Sequence, residues 1–309
     1  MILIVTHKED YTVDFVVEKL NQREIKYKRL NTEDIFTKNN VVIKYSEKNF
    51  DFLIDNISQF QSIWFRRIKL PKFNDVDNST SNYLREETYS YFLNMWQLFN
   101  TKWLSNPDAI YRAENKLLQL KIAQKIGFNI PKTLIAYNMQ EIIDFYLYNN
   151  KDIIIKPLYN SRFQTSEEEN RLIYTNKLTD NQISNINSYM SFPSIIQENI
   201  KKRIEIRTTV VNNNVFSAFV DSQKNANTTI DWRREKCTFN KIDIPESIKN
   251  KCIELTKELN LGFGAIDLIL TEQGEYKFLE INPNGQWAWI EVDTGLPIAD
   301  AIIDYLTIN

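Results

Sequence analysis

Apolar runs and amphipathic stretches alternate through the first hundred residues. Ile2 to Val5 reads as a buried strand, Lys26 to Leu30 and Ile63 to Phe65 as further short strands, and Thr12 to Leu20 as an amphipathic helix. That alternation predicts a small parallel α/β lobe. Residues 71–82 are polar and read as a loop, with a long helix from about Tyr83 to Trp103 after it. Asn106-Pro107-Asp108 then offers a cap, an N1 proline and a first-turn acid to one more helix, which Gly127 closes. From Lys151 onward strands dominate: Asp152 to Lys156, Ser194 to Glu198, Arg203 to Val211, Val215 to Asp221, Gly264 to Leu270 and Tyr276 to Ile281. Helices are expected over Ser247 to Leu259 and Pro297 to Tyr305. The predicted class is α/β (α+β).

Composition narrows the chemistry by what it lacks. At 309 residues the chain is long enough for two or three lobes, and a net charge of −2 gives no field for wrapping nucleic acid. No apolar run approaches the ~20 residues of a membrane span, and Met1 to Val5 is too short for a signal peptide. Cys237 and Cys252 are too far apart for a metal knuckle, so two reduced thiols in a cytoplasmic protein are expected. His7 is the single histidine, which argues against a Ser-His-Asp triad or a histidine metal cage. Only six glycines are present, and neither Gly-x-Gly-x-x-Gly nor Gly-x-x-x-x-Gly-Lys occurs. Any nucleotide phosphate must therefore be held by side-chain cations and metal.

The strongest constellation lies near the C-terminus, in Gly264-Ala-Ile-Asp267-Leu-Ile-Leu and Phe278-Leu-Glu280-Ile-Asn282-Pro-Asn-Gly. A hairpin with a two-residue turn at Gln273-Gly274 sets Asp267 opposite Glu280, with Asn282 on the same face. Leu268, Leu270, Leu279 and Ile281 are then expected on the core face. Converging hard oxygens suit Mg²⁺ completed by phosphate and water; the bland alternative is a solvated hairpin face. Lys156 ends an isoleucine-rich strand, where a cation can meet an anion or simply snorkel out, and Lys116 on the preceding helix is equally ambiguous. Glu205 and Arg207 share a strand face, as a structural pair or as an acid and a cation for a ligand. Ile195 to Ile200 is an apolar strand turning polar as it exits, suited to offering backbone groups to an adenine edge.

In this order, Lys116, Lys156, Gln197-Glu198, Glu205-x-Arg207, Asp267 and Glu280-x-Asn282, the chain resembles the ATP-grasp superfamily over roughly residues 109–309. The resemblance implies Lys116 and Lys156 on the ATP phosphates, Gln197, Glu198, Asn199 and Ile200 as the adenine hinge, and Glu205 on ribose. It implies Asp267, Glu280 and Asn282 on two Mg²⁺ ions. It also implies an N-terminal α/β lobe (1–105), a central lobe (106–195) and a C-terminal lobe with the metal site (196–309). One departure stands out: the phosphate-covering segment from Asn160 to Asn170 contains no glycine, with Ser161 or Arg162 as candidate substitutes.

Leu3 to Asp10, Ile63-Trp-Phe-Arg66-Arg67, Asp221-Ser-Gln223 with Asp231-Trp-Arg233-Arg234, and Glu280 to Trp287 extend the likeness to almost the whole chain. They resemble the graspetide (microviridin-type) synthetases. Such enzymes activate Asp or Glu side chains of a ribosomally made precursor peptide and let Thr, Ser or Lys of the same peptide attack. They recognise a leader segment, and several are homodimers. A carboxylate approaching a γ-phosphate needs cations, for which Arg66, Arg67, Arg207, Arg233 and Arg234 are the candidates. Asp231 is a guess as general base. The lactone-forming members are the nearest likeness. Two other readings remain: an ATP-grasp ligase adding an amino acid to a protein or small peptide, and a non-catalytic nucleotide- or peptide-binding module.

Overall fold

The structure is a computed structural model and describes residues 1–158, 162–164, 170–186 and 192–308. The N-terminal part opens with β1 (Ile2–Thr6), α1 (Tyr11–Gln22) and β2 (Tyr27–Asn31). A hairpin of β3 (Val41–Tyr45) and β4 (Phe50–Ile54) follows, then β5 (Ser62–Phe65), α2 (Asn78–Trp96) and β6 (Lys102–Trp103). Its parallel sheet has the order β2-β1-β5-β6. All five residues of β1 are buried because helices cover both faces of the sheet. The β3–β4 hairpin was not legible in the sequence, since its exposed Tyr45 and Phe50 obscure the period-two pattern. Helix α2 begins inside the expected loop because the Asp77 carboxylate accepts from the Ser79 and Thr80 amides. It ends at Trp96 rather than Trp103, and the tail of the apolar run pairs with β5 as β6.

Two helices, α3 (Pro107–Ala113) and α4 (Lys116–Ile126), stand where one was expected. Asn115 interrupts them: its side chain accepts from the Leu118 amide and restarts the helix, so Lys116 becomes the first residue of α4. Gly127 closes α4 at φ 90°, in the left-handed region. Next come β7 (Thr133–Ala136), α5 (Met139–Tyr148), β8 (Ile153–Lys156), β9 (Arg162–Gln164), β10 (Asn170–Leu172), β11 (Asn176–Lys177), α6 (Asp180–Ser184) and β12 (Ser194–Glu198). The antiparallel sheet β11-β8-β12-β7 carries α5 and a small core of its own, with Ile142, Tyr146, Ile153 and Ile196.

The C-terminal part holds β13 (Lys202–Val211), β14 (Asn214–Val220), β15 (Asn240–Lys241), α7 (Glu246–Glu258), β16 (Phe263–Thr271), β17 (Tyr276–Asn282), α8 (Ala288–Thr294) and α9 (Ile298–Thr307). Its antiparallel sheet runs β15-β14-β13-β16-β17. This sheet shares its cores with the N-terminal sheet. One cluster joins Leu3, Val5, Phe92 and Trp96 to Ile206, Leu268, Phe278 and Ile281; the other joins Ile2, Ile4 and Val13 to Trp287, Ile298 and Ile302. The first and last thirds of the chain are thus fused through apolar burial, with the β8–β12 sheet facing them across a cleft. Among the described residues no helix is long and apolar enough to cross a membrane.

Candidate active site

The cleft has a volume of about 840 Å³ and lies between the two antiparallel sheets. Its floor is a row of charges across three strands, because β13, β16 and β17 register Arg207 opposite Asp267 and Asp267 opposite Glu280. Arg207 Nη1 donates to Asp267 Oδ1 at 2.7 Å, and Lys116 Nζ lies 3.3 Å from Glu280 Oε2. Two residue pairs along, on the same face, Asn282 stands opposite Ala265.

The hairpin reaches this register by a route other than the expected one. Thr271 and Glu275 pair around the three residues Glu272, Gln273 and Gly274, with Gly274 at φ 85°. That is the three-residue turn in which glycine takes the left-handed position. It shifts the pairing by one residue, so that Leu268 faces Phe278. A bulge at Leu279 restores it, returning Glu280 opposite Asp267. The bulge also corrects the core: Phe278 is fully buried against Leu268, whereas Leu279 lines the cleft.

The electrostatics follow from packing opposite charges into a recessed place. Burial pushes the Asp267 carboxyl up, and neighbouring Glu280 adds to this against Arg207. Burial also opposes the Glu280 charge, but Lys116, Lys156, Arg233 and Arg207 outweigh it and hold that carboxyl down at about 2. Lys156, at the end of β8, is lowered to about 8 by burial, with the charge of Lys116 adding and that of Glu280 opposing. Glu205 is raised by burial despite Lys202, whose Nζ donates to its Oε1 at 2.7 Å.

Asp267, Glu280 and Asn282 offer two carboxylates and one amide oxygen. Among the described residues no set of three His, Cys, Asp or Glu groups converges, so a metal here would depend on ligand oxygens to fill its shell. The donor chemistry fits a hard divalent cation bound together with a phosphate. Gln197 Oε1 and Arg207 Nε, both buried at the cleft, have no hydrogen-bond partner among the described residues, as expected of groups awaiting a polar ligand.

Residues 113–306 match the RimK-like ATP-grasp domain, and residues 1–111 match the MvdD pre-ATP grasp domain. The chain belongs to the RimK-like ATP-grasp family. It is therefore an ATP-grasp ligase. It superposes with a TM-score of 0.89 on a Chryseobacterium gregarium RiPP-associated ATP-grasp ligase in complex with ADP and a leader and core peptide, at 24% identity over 99% of this chain and 96% of that one. With macrocyclase MdnB from Microcystis aeruginosa the TM-score is 0.81 and the identity 30%, over 100% and 99% of the two chains. Tetrahydromethanopterin:alpha-L-glutamate ligase of Methanocaldococcus jannaschii is 24% identical over 97% of this chain and 96% of that protein.

Of the residues singled out in the sequence, Lys116, Lys156, Gln197, Glu198, Asn199, Ile200, Glu205, Arg207, Asp267, Glu280 and Asn282 all line this cleft, as do Arg66, Arg67 and Arg233. The arginine pairs have partners that the sequence does not show. Arg66 is 1% exposed and lies 3.5 Å from Asp10, with weak 3.4 Å bonds from its two Nη atoms to Gly285 O and Gln286 Oε1. Arg67 donates to Asn284 O at 3.2 Å, and Asn284 Nδ2 donates to Arg66 O at 3.0 Å. The pair thus clamps the loop that follows Asn282, because burial between the fused lobes makes main-chain acceptors the nearest partners. Arg234 is outside the cleft, bonded to Thr175 O and Asn176 Oδ1. Asp231 is 4% exposed and held below the usual carboxylate range: burial opposes its charge, but three bonds from Arg233 and its positive charge outweigh that, which makes it a poor base. Ser161 and the side chain of Arg162 lie outside the described residues. His7 sits in the loop after β1 and does not line the cleft.

Three further cleft residues were not singled out in the sequence. Lys202 is buried and neutralises Glu205. Glu114 follows α3 and is raised by burial, opposed by the charge of Arg67. Gln119 is 2% exposed and brackets Ile281: its Oε1 accepts from Ile281 N at 3.0 Å while its Nε2 donates to Ile281 O at 2.8 Å. A polar residue between apolar helix positions could have flagged Gln119, but its partner lies 162 positions away.

Proposed function

We propose that the ligase phosphorylates Asp or Glu side chains of a ribosomally made precursor peptide and closes rings on the acyl phosphates. A carboxylate oxygen attacks the γ-phosphorus of ATP and ADP departs. A Thr or Ser hydroxyl of the same peptide then attacks the acyl carbon, loses its proton and expels phosphate, leaving an ester. One observation carries this reading. The likeness extends through the N-terminal lobe as well as the nucleotide cleft, to a ligase solved with ADP and a leader and core peptide and to a named macrocyclase.

The residues suit the first step. Lys116 and Lys156 approach the cleft from α4 and β8 and would neutralise phosphate oxygens, while Gln197 to Ile200 edge the same cleft as the adenine hinge. Asp267, Glu280 and Asn282 would hold Mg²⁺, two ions in our reading, which supplies charge neutralisation at the transferring phosphoryl group. Arg207 is fixed by Asp267, and Arg233 by Asp231, so both guanidinium groups are oriented before an acceptor carboxylate arrives. Arg67 and the Asn284 loop close the side nearest the N-terminal lobe.

Release of ADP tests the reading. A cognate precursor, a Thr- and Glu- or Asp-rich peptide, should stimulate ADP formation by the wild type. Glu280→Ala or Asn282→Ala should lower it at least ~10²-fold in a folded protein, because each removes a metal ligand at the transferring phosphoryl group. Near-wild-type turnover in folded Glu280→Ala would refute the metal assignment.

A second reading has one observation of its own, the full-length similarity to an α-L-glutamate ligase. A ligase of that kind would add an amino acid to an acceptor carboxylate through the same nucleotide cleft. The two differ in the mass of the product.

A further inference from the structure

Asp231, Thr175 and Arg234 form a bridge between the two walls of the cleft. The Asp231 carboxylate receives Arg233 Nε at 2.8 Å on one oxygen and Arg233 Nη2 at 2.5 Å on the other. The second oxygen also accepts from the backbone amide of Thr175, at 3.2 Å, on the opposite wall. Arg234 repeats the link from the outside, donating to Thr175 O at 3.0 Å and to Asn176 Oδ1 at 2.8 Å, with its guanidinium 5.1 Å from the Tyr174 ring.

The position of Thr175 gives the bridge a consequence. Thr175 directly precedes β11, and Asn176 of β11 pairs with Ile155 of β8, next to Lys156. Arg233 and Lys156 line the same cleft, and the charge of Arg233 acts against that of Lys156. Two like charges on separate walls drift apart unless something holds the walls together. Asp231 neutralises one of them and ties its segment to the strand pair that carries the other.

We propose that Asp231 is a positioning residue: by bonding Arg233 and the Thr175 amide at once, it sets Arg233 against Lys156 across the cleft, so that the cations of both walls act on one phosphoryl group. This rests on the ATP-dependent reading of the cleft for its kinetic consequence, but the bridge itself can be tested without turnover.

Thr175→Pro removes the bridging N–H and leaves the Asp231–Arg233 pair intact, whereas Thr175→Ala keeps the N–H. Amide exchange over residues 222–240 should then be at least ~10-fold faster in Thr175→Pro than in wild type or Thr175→Ala. Equal protection in all three proteins would overturn the bridge, whatever the enzyme's substrate. In steady-state ADP formation, Asp231→Asn and Thr175→Pro should lower kcat by up to ~10²-fold while the KM for ATP changes little, since a displaced cation costs the transition state more than ground-state binding. Unchanged kcat in both variants, or KM and kcat altered in proportion, would overturn the positioning role. A wild type inactive with every peptide would count against the proposed function and leave the exchange result to decide the bridge.

Discussion

Lys156 is held near its titration point, because burial at the end of β8 lowers its ammonium to about 8. A phosphate placed beside it would favour the charged form, so nucleotide binding above that pH must take up a proton. The Kd for ATP should therefore rise with pH above about 8, approaching ~tenfold per unit, and Lys156→Arg, charged throughout, should flatten the profile. Titration calorimetry between pH 7 and 9.5 would show it, and an affinity independent of pH in the wild type would remove Lys156 from the phosphate site. At this scale the sequence was informative wherever the chemistry was carried by the residue type itself. Asp267, Glu280 and Asn282 were expected together on one face, and all three line the cleft. The sequence was uninformative where meaning depends on a distant partner. Arg66 and Arg67 look like free cations in the sequence, yet one is enclosed beside Asp10 and the other holds the Asn284 carbonyl.

At the scale of elements, the restart of the helix at Asn115 and the bulge at Leu279 do the positioning. Neither was predicted, since a cap inside a continuous helical pattern and one extra residue in a strand leave the periodicity almost unchanged. The expected facing of Asp267 and Glu280 was correct only because a longer turn and a bulge offset each other. Gln119 joins these elements by holding both polar groups of Ile281, so α4 is locked to β17 and Lys116 meets Glu280. Gln119→Leu fits the volume but leaves the main chain of Ile281 and the carbonyl of Ala113 without their partner. It should cost at least ~2 kcal/mol in denaturant unfolding and reduce turnover as well. A variant as stable as wild type would mean that apolar packing alone fixes α4.

For the whole molecule, the decisive feature is that the N-terminal sheet shares two apolar cores with the C-terminal sheet. Strand and helix patterns predicted the parts, but shared burial between residues 200 or more positions apart has no local signature. Asp10 and Arg66 lie on this junction, both buried, and Thr12 bonds Gln286 across it. Removing one partner leaves a buried charge, so Asp10→Asn should destabilise by about 3–5 kcal/mol near pH 7. Burial opposes the Asp10 charge, but Arg66 and Thr6 outweigh it and depress the carboxyl below its unfolded value. Its contribution is therefore complete above that unfolded value of about 4 and is lost as pH falls through the folded one. The stability gap between wild type and Asp10→Asn should narrow towards pH 3 in denaturant melts, and a constant gap would contradict the pairing.

The same fused architecture is what aligns the ligase along its whole length with peptide-modifying relatives, and the mass of the product decides whether it shares their chemistry. Joining two side chains of one peptide removes one water per ring, adding an amino acid raises the mass, and binding alone leaves it unchanged. Mass spectrometry of the cognate precursor, incubated with the ligase, Mg²⁺ and ATP, should show successive losses of one water and none without ATP. Mild alkali should restore the water if the bonds are esters, as we propose, whereas amides would resist it. A gain in mass, or an unchanged mass with a cognate peptide, would contradict the macrocyclase account.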